Sequence, residues 1–294
     1  MLTIQGVTVE ITTENYDKLQ SGIKSLLEEV SQFVNANGNY PQGKSVASDE
    51  VEECAYSEEI QTVCSQGCLL VESAGDHAFA VSRLLEPPLL TISPWTSVRG
   101  VLEAAAYGCW LMDPDIAVRD RVARSLAFRY GGLLHQKKAA GSMGDENGVR
   151  HAKERIQEIK ADARRLGFEE KTDKKGKVVG VAMTLPSSTE CIRDNLFNES
   201  GYRILSSIAH SHPSAMISVS FKAKNESEPS LLSKNLSVGS ACWLLMTAAD
   251  AFSAIAWRQA SYFGYDLEEF GHLLNEIYDG MGIRKDGRFW QITS

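Results

Sequence analysis

The chain has 294 residues, of which 43% are hydrophobic and 23% charged, and its net charge is −8. A chain of this length buries enough surface to fold without disulfide or metal staples, and the balance is that of a globular protein, not of a disordered or fibrous one. The acidic excess argues against an extended nucleic-acid surface, which is usually basic, and leaves room only for a local basic patch.

Alternation over residues 2–11 predicts a short β-strand or a hairpin around Gly6. No charged leader precedes an apolar stretch there, so no secretory signal is expected. Thr12 or Thr13 caps a helix over 13–35, in which Leu19, Ile23, Leu26, Leu27, Val30 and Val34 recur at helical spacing. Asn, Gly and Pro over 35–44 read as a loop. A long helix is expected over 49–86, with Asp49, Glu50, Glu52 and Glu53 at the positive end of its dipole and Pro87 and Pro88 ending it.

Ser93 and Pro94 open the next predicted helix, 94–112, which Asp113 and Pro114 break. A helix over 115–139 runs into a glycine-containing loop at 141–148. The helix predicted over 148–166 is strongly charged, with Gly167 at its C-terminal stop. Two short strands, 168–172 and 177–183, flank a turn at 173–176. Short helices follow over 186–195 and 199–211, then a polar loop over 222–235. The most apolar stretch, 238–256, contains Ser240, Thr247, Asp250 and Ser253 and lies close to Arg258, which favours a buried central helix over 237–263 rather than a membrane span. An amphipathic helix over 267–281 and a strand over 288–292 complete the reading. The fold class is mainly α, a multi-helix bundle with minor strands at the N-terminus and near 168–183. It is expected as one domain, 1–294, with a charged excursion at 145–185.

The six cysteines, Cys54, Cys64, Cys68, Cys109, Cys191 and Cys242, lie mostly in apolar helical runs and form no CxxC pair, so they read as buried thiols of a reducing cytoplasm. Cys64 and Cys68 share a helix face but have no His or acidic partners at ligand spacing. Walker, GxGxxG, GxSxG and HExxH patterns do not occur, and no cofactor is expected.

The segment 202–213 carries the most chemistry. Arg203, Ser206 and His210 fall on one helix face, setting a fixed cation, a hydroxyl and a titratable imidazole in line. Such a set is what a metal-independent ribonuclease needs to deprotonate a hydroxyl and stabilise a phosphorane-like charge; alternatively, His210 serves the helix end and Arg203 pairs with a neighbouring carboxylate. Arg99 and Glu103, four residues apart, form a partly buried pair or line a polar cleft. Asp76, beside His77, is placed to orient a histidine or accept from Arg99 or Arg203. Arg129 and His135 have similar composition but diverge on a straight helix. His210 and His212, with Asp76, His77 or Glu103, are the residues a metal site would need.

These residues also carry a resemblance. Ser73-x-x-Asp76-His77, then Ser97-x-Arg99-x-x-x-Glu103 leading to Asp113-Pro114-Asp115, then Tyr202-Arg203-x-Leu205-Ser206-x-x-Ala209-His210, resembles a bacterial helical family similar to HEPN-like domains, over about half the chain. The resemblance implies a homodimeric, metal-independent endoribonuclease of stress or phage defence acting on RNA. His210 would be its general acid or base, Arg203 would hold the scissile phosphate, and Ser206 would complete the catalytic set. Asp76, His77, Arg99, Glu103 and Tyr202 would line the substrate site. Ile204 stands where that family carries a polar residue after its arginine. The alternative is a non-catalytic, membrane-free bundle that binds a protein partner or a small ligand, with Arg99, Glu103 and His210 satisfied inside one monomer.

Overall fold

The computed structural model describes residues 2–4, 7–9, 12–52, 56–223, 232–286 and 289–292. It is a mainly α multi-helix bundle. The helices are α1 (Thr13–Ala36), α2 (Val46–Glu52), α3 (Ser57–Leu84), α4 (Ser93–Leu111), α5 (Val118–Ser142), α6 (Glu146–Arg165), α7 (Ser188–Leu196), α8 (Glu199–Ala209), α9 (Pro213–Ser220), α10 (Val238–Phe263) and α11 (Leu267–Gly280). Among the described residues, eight short strands pair as four antiparallel hairpins: β1 (Leu2–Ile4) with β2 (Val7–Val9), β3 (Glu170–Thr172) with β4 (Val178–Val181), β5 (Phe221–Ala223) with β6 (Leu232–Lys234), and β7 (Ile283–Asp286) with β8 (Phe289–Ile292).

Helix α10 is the centre. Of its 26 residues 17 are buried, the signature of a helix that is apolar all round and surrounded by others. It meets the length and composition of a membrane span, yet here α1, α2, α3, α4 and α11 pack around it. Local sequence sets its ends: Ser237 accepts from Ser240 N at 3.0 Å, and Gly264 closes it at φ +73°. The capping boxes at Thr12 with Asn15 and Ser187 with Glu190 begin α1 and α7.

The α5–α6 hairpin turns at Gly144, φ +70°, and Asp145 caps α6 by accepting from Gly148 N at 2.9 Å. Ala152, Ile156, Ile159 and Ala163 recur every three or four residues and form the buried face of α6, which packs on α5.

The expected 49–86 helix is two helices. Ser45 Oγ accepts from Ser48 N at 3.0 Å and starts α2 before the acidic run, while residues 53–55 lie outside the described set. The separation matters because Glu50 is no surface residue satisfying a dipole. It is 7% exposed and receives Arg121 Nε at 2.9 Å and the Tyr262 hydroxyl at 2.7 Å. Arg121, fully buried, also donates to the Leu111 carbonyl at 3.0 Å and lies 4.2 Å from the Tyr262 ring centre. This triad ties α2, α5 and α10 together.

Ile92, not Ser93, occupies the cap position of α4, and α5 begins at Val118 after a turn at 113–117. Helix α9 and the β5–β6 pairing were not legible as elements; 224–231, most of the predicted polar loop, lie outside the described residues, as do Gly6 and Arg288.

Candidate functional site

Helices α4 and α8 bring together three of the predicted residues. Arg99 and Glu103 are one turn apart on α4, and Arg99 Nε donates to Glu103 Oε1 at 2.9 Å. Tyr202, 5% exposed on the inner face of α8, donates its hydroxyl to the same oxygen at 2.6 Å. Arg99 Nη2 reaches the Tyr202 oxygen at 3.5 Å, and its guanidinium carbon stands 5.6 Å from the Tyr202 ring centre. Burial, and then the bond to the Glu103 carboxylate, push the Tyr202 hydroxyl above the ordinary phenol range. Trp95, one turn before Arg99 on α4, packs against Trp243 of α10 at 5.7 Å between ring centres. Each charge in the triad is answered by another, so it braces α8 against α4 and presents no unopposed acid or base.

The predicted catalytic stripe is on the outer side of α8. Arg203 donates Nη2 to Glu199 Oε1 at 2.7 Å, one turn back on the same helix, and its side chain is 67% exposed. Ser206 is half-buried, and His210 is exposed at the C-terminal end, its ring centre 6.3 Å from that of His212. Over seven residues the helix rises about 10 Å, which is the axial separation of the backbones that carry Arg203 and His210.

Asp76 and His77 are elsewhere. Asp76 is exposed and lines a groove between α1 and α3 with Glu28, Glu72 and Phe79. His77 lies against α4 at Gly100, where a Cβ would come within 2.7 Å of the imidazole. The absence of a side chain at Gly100 is therefore what lets α3 and α4 approach, and His77 packs instead of pairing with Asp76. Arg99 and Arg203, the cations Asp76 was expected to meet, are held by Glu103 and Glu199. Among the described residues no three His, Cys, Asp or Glu side chains gather closely enough to hold a metal ion. His135 is exposed, Arg129 half-buried, and no contact joins them among the described residues.

A different place collects polar groups around a concavity. A cleft of about 600 Å³ lies between α10 and α11 and is also lined by Asn195, near the C-terminal end of α7. At its base Tyr278, 2% exposed, donates to Asp250 Oδ1 at 3.1 Å, which leaves Ser253 Oγ to donate to the Tyr278 oxygen at 3.0 Å. Burial, with the Asp250 carboxylate adding to it, pushes the Tyr278 hydroxyl well above the usual phenol range, so it stays a neutral donor. Asn275 adds an amide, and Trp257, 38% exposed and stacked on Phe270 at 6.0 Å, forms part of the wall. Arg258 on the same wall is held by Asp113 at 3.2 Å.

Half of this cleft was visible in the sequence. Asp250, Ser253, Trp257 and Ser261 follow one another at three- and four-residue steps, a polar stripe on an otherwise apolar helix. Asp250 and Ser253 count in the sequence only as interruptions that disfavour a membrane span, and Trp257 and Ser261 carry no signal there. Tyr278 and Asn275 come from α11, and no pattern in the chain announces which face of α10 they meet. Comparison of the chain with protein-family models, curated proteins and solved structures finds no match in any of the three.

Proposed function

We propose that the chain is a helical binding protein that holds a small polar ligand in the α10–α11 cleft. The observation that carries this reading is the relay Ser253–Tyr278–Asp250 at the base of a ligand-sized concavity. Small-molecule sites typically enclose about 300–1,000 Å³ and orient their ligand through a few fixed polar groups. Here the Ser253 oxygen offers lone pairs, the Asn195 and Asn275 amides belong to residues that both donate and accept, and the Trp257 indole supplies a flat wall. The α4–α8 triad supports binding over catalysis, because its three polar groups satisfy one another within one chain.

The test is a thermal-shift screen of metabolite-sized polar compounds on wild type beside Ser261→Trp, which fills the cleft wall. Compounds that raise Tm for wild type but not for the variant are expected. A screen in which the two proteins respond alike removes the reading.

The second reading is the HEPN-like nuclease, favoured by one observation: Arg203, His210 and His212 all face solvent on the α8 side, available to a second copy. A homodimer that opposed two such stripes would assemble the acid, the base and the phosphate-holding cation that one chain keeps about 10 Å apart. RNA incubated with wild type, Arg203→Ala and His210→Ala decides it. Cleavage by wild type that both substitutions abolish supports the nuclease, and intact RNA with wild type eliminates it.

A further inference from the structure

The acidic balance of the chain conceals a segregation of charge. From α5 through β4, residues 118–181, there are 16 Lys and Arg against 9 Asp and Glu, a net of +7; the rest of the chain has 14 against 29, a net of −15. Within that segment the cations are ordered. Arg150, Lys153, Gln157, Lys160 and Arg164 follow at alternating steps of three and four, which places them along one flank of α6 over about 21 Å. Lys160 Nζ grips Glu170 Oε2 at 2.7 Å, and Arg164 comes within 4.0 Å of the same carboxylate, so the β3–β4 hairpin lies beside that flank. The hairpin continues the basic line with Lys171, Lys174, Lys175 and Lys177, all exposed. Its other acidic residue, Asp173, is turned onto the backbone, accepting from Lys175 N at 2.8 Å and Lys177 N at 3.0 Å. Among the described residues Lys153 and the four hairpin lysines have no carboxylate within 4.0 Å.

We propose that this face binds the phosphate backbone of a nucleic-acid duplex without reading its sequence. Three features select that partner. Lys153 and the four hairpin lysines are exposed and without a carboxylate partner among the described residues, as counterion-releasing phosphate contacts require, while Arg150, Lys160 and Arg164 are engaged by Glu154 and Glu170. The apolar face of α6 is consumed by α5, which leaves no apolar side to enter a lipid headgroup layer. The aromatic side chains of the segment, Phe128, Tyr130 and Phe168, are buried or half-buried, and Phe168 is covered by the Arg119 guanidinium at 4.4 Å, so no platform exists for stacking unpaired bases. The inference is independent of the α10–α11 cleft and of the α8 stripe.

Fluorescence anisotropy with labelled RNA and DNA duplexes of two helical turns, the matching single strands, and phosphatidylserine vesicles as competitor tests it. Wild type is expected to bind both duplexes, with log affinity falling against log salt at a slope of about −4, for four to five phosphates neutralised. Lys174→Glu/Lys175→Glu/Lys177→Glu should weaken duplex binding by about tenfold or more at moderate salt. A control that reverses Lys18 and Lys44, outside the segment, should change it by about twofold or less, with circular dichroism confirming that both variants are folded. The proposal is overturned if wild type binds no duplex, if the hairpin variant binds as wild type does, if the control loses as much, if single strands bind better than duplexes, or if vesicles displace the duplex.

Discussion

The molecule contains two Arg–Glu–Tyr triads with nearly the same wiring. In each, the arginine Nε and the tyrosine hydroxyl converge on one glutamate, and the guanidinium lies near the tyrosine ring. Arg121–Glu50–Tyr262 joins α2, α5 and α10 with the arginine side chain fully buried, whereas Arg99–Glu103–Tyr202 joins α4 and α8 with side-chain exposures of 24% and 33% for its ion pair. The same chemical unit therefore sits in two dielectric settings. In the first, water cannot replace a lost partner, and the remaining charge is stranded. In the second, solvent reaches the pair, screens it and compensates its loss. The deep triad is a keystone of the fold, and the shallow one is a brace whose members tolerate change.

The contrast predicts a ranked set of outcomes. Arg121→Met leaves Glu50 buried without its cation and should cost about 3–5 kcal/mol in urea unfolding, while Arg121→Met/Glu50→Leu should recover part of that loss. If the double variant is as unstable as the single one, packing rather than stranded charge governs the site. Outside that ranking stands a pH effect shared by the interior. Burial pushes the Cys64, Cys109, Cys191 and Cys242 thiols up to about 12 from an ordinary 9.0. Above pH 9 the unfolded chain releases these protons and the native chain keeps them, so stability is complete below 9 and falls as pH rises toward 12. Urea midpoints that stay level from pH 8 to pH 10.5 would contradict this.

Arg99→Ala and Glu103→Gln, at the shallow triad, should cost about 1 kcal/mol each by the same unfolding assay. A loss as large as that of Arg121→Met would erase the distinction between the two triads. Smallest is Arg203→Ala: the exposed pair with Glu199 should contribute nothing measurable to stability. That expectation lets the same variant serve cleanly in the RNA-cleavage test.

Local pattern was a good guide to the elements. Helical spacing and punctuation placed α1, α6, α7, α10 and α11 within a few residues of their observed ends, because caps and stops act over one turn. It failed where a long-range contact overrode a local sign. The acidic start at 49–53 read as dipole complement, but Glu50 is drawn inward by Arg121 and Tyr262, 71 and 212 residues away in the chain. For the candidate sites, Arg99 with Glu103 was legible because four residues on a helix are neighbours in space. Tyr202, although singled out, found its partner only through the packing of α8 on α4.

By itself the sequence determined a helix-rich bundle, the central apolar α10, the Arg99–Glu103 pair and the charged excursion at 145–185, since each depends on residues close along the chain. Only the tertiary structure decided that Tyr202 meets Glu103, that His77 packs on Gly100, and that Tyr278 meets Asp250 and Ser253 across a cleft. Those pairings depend on which helix faces meet, and helix–helix packing is set by the whole core, not by any one segment.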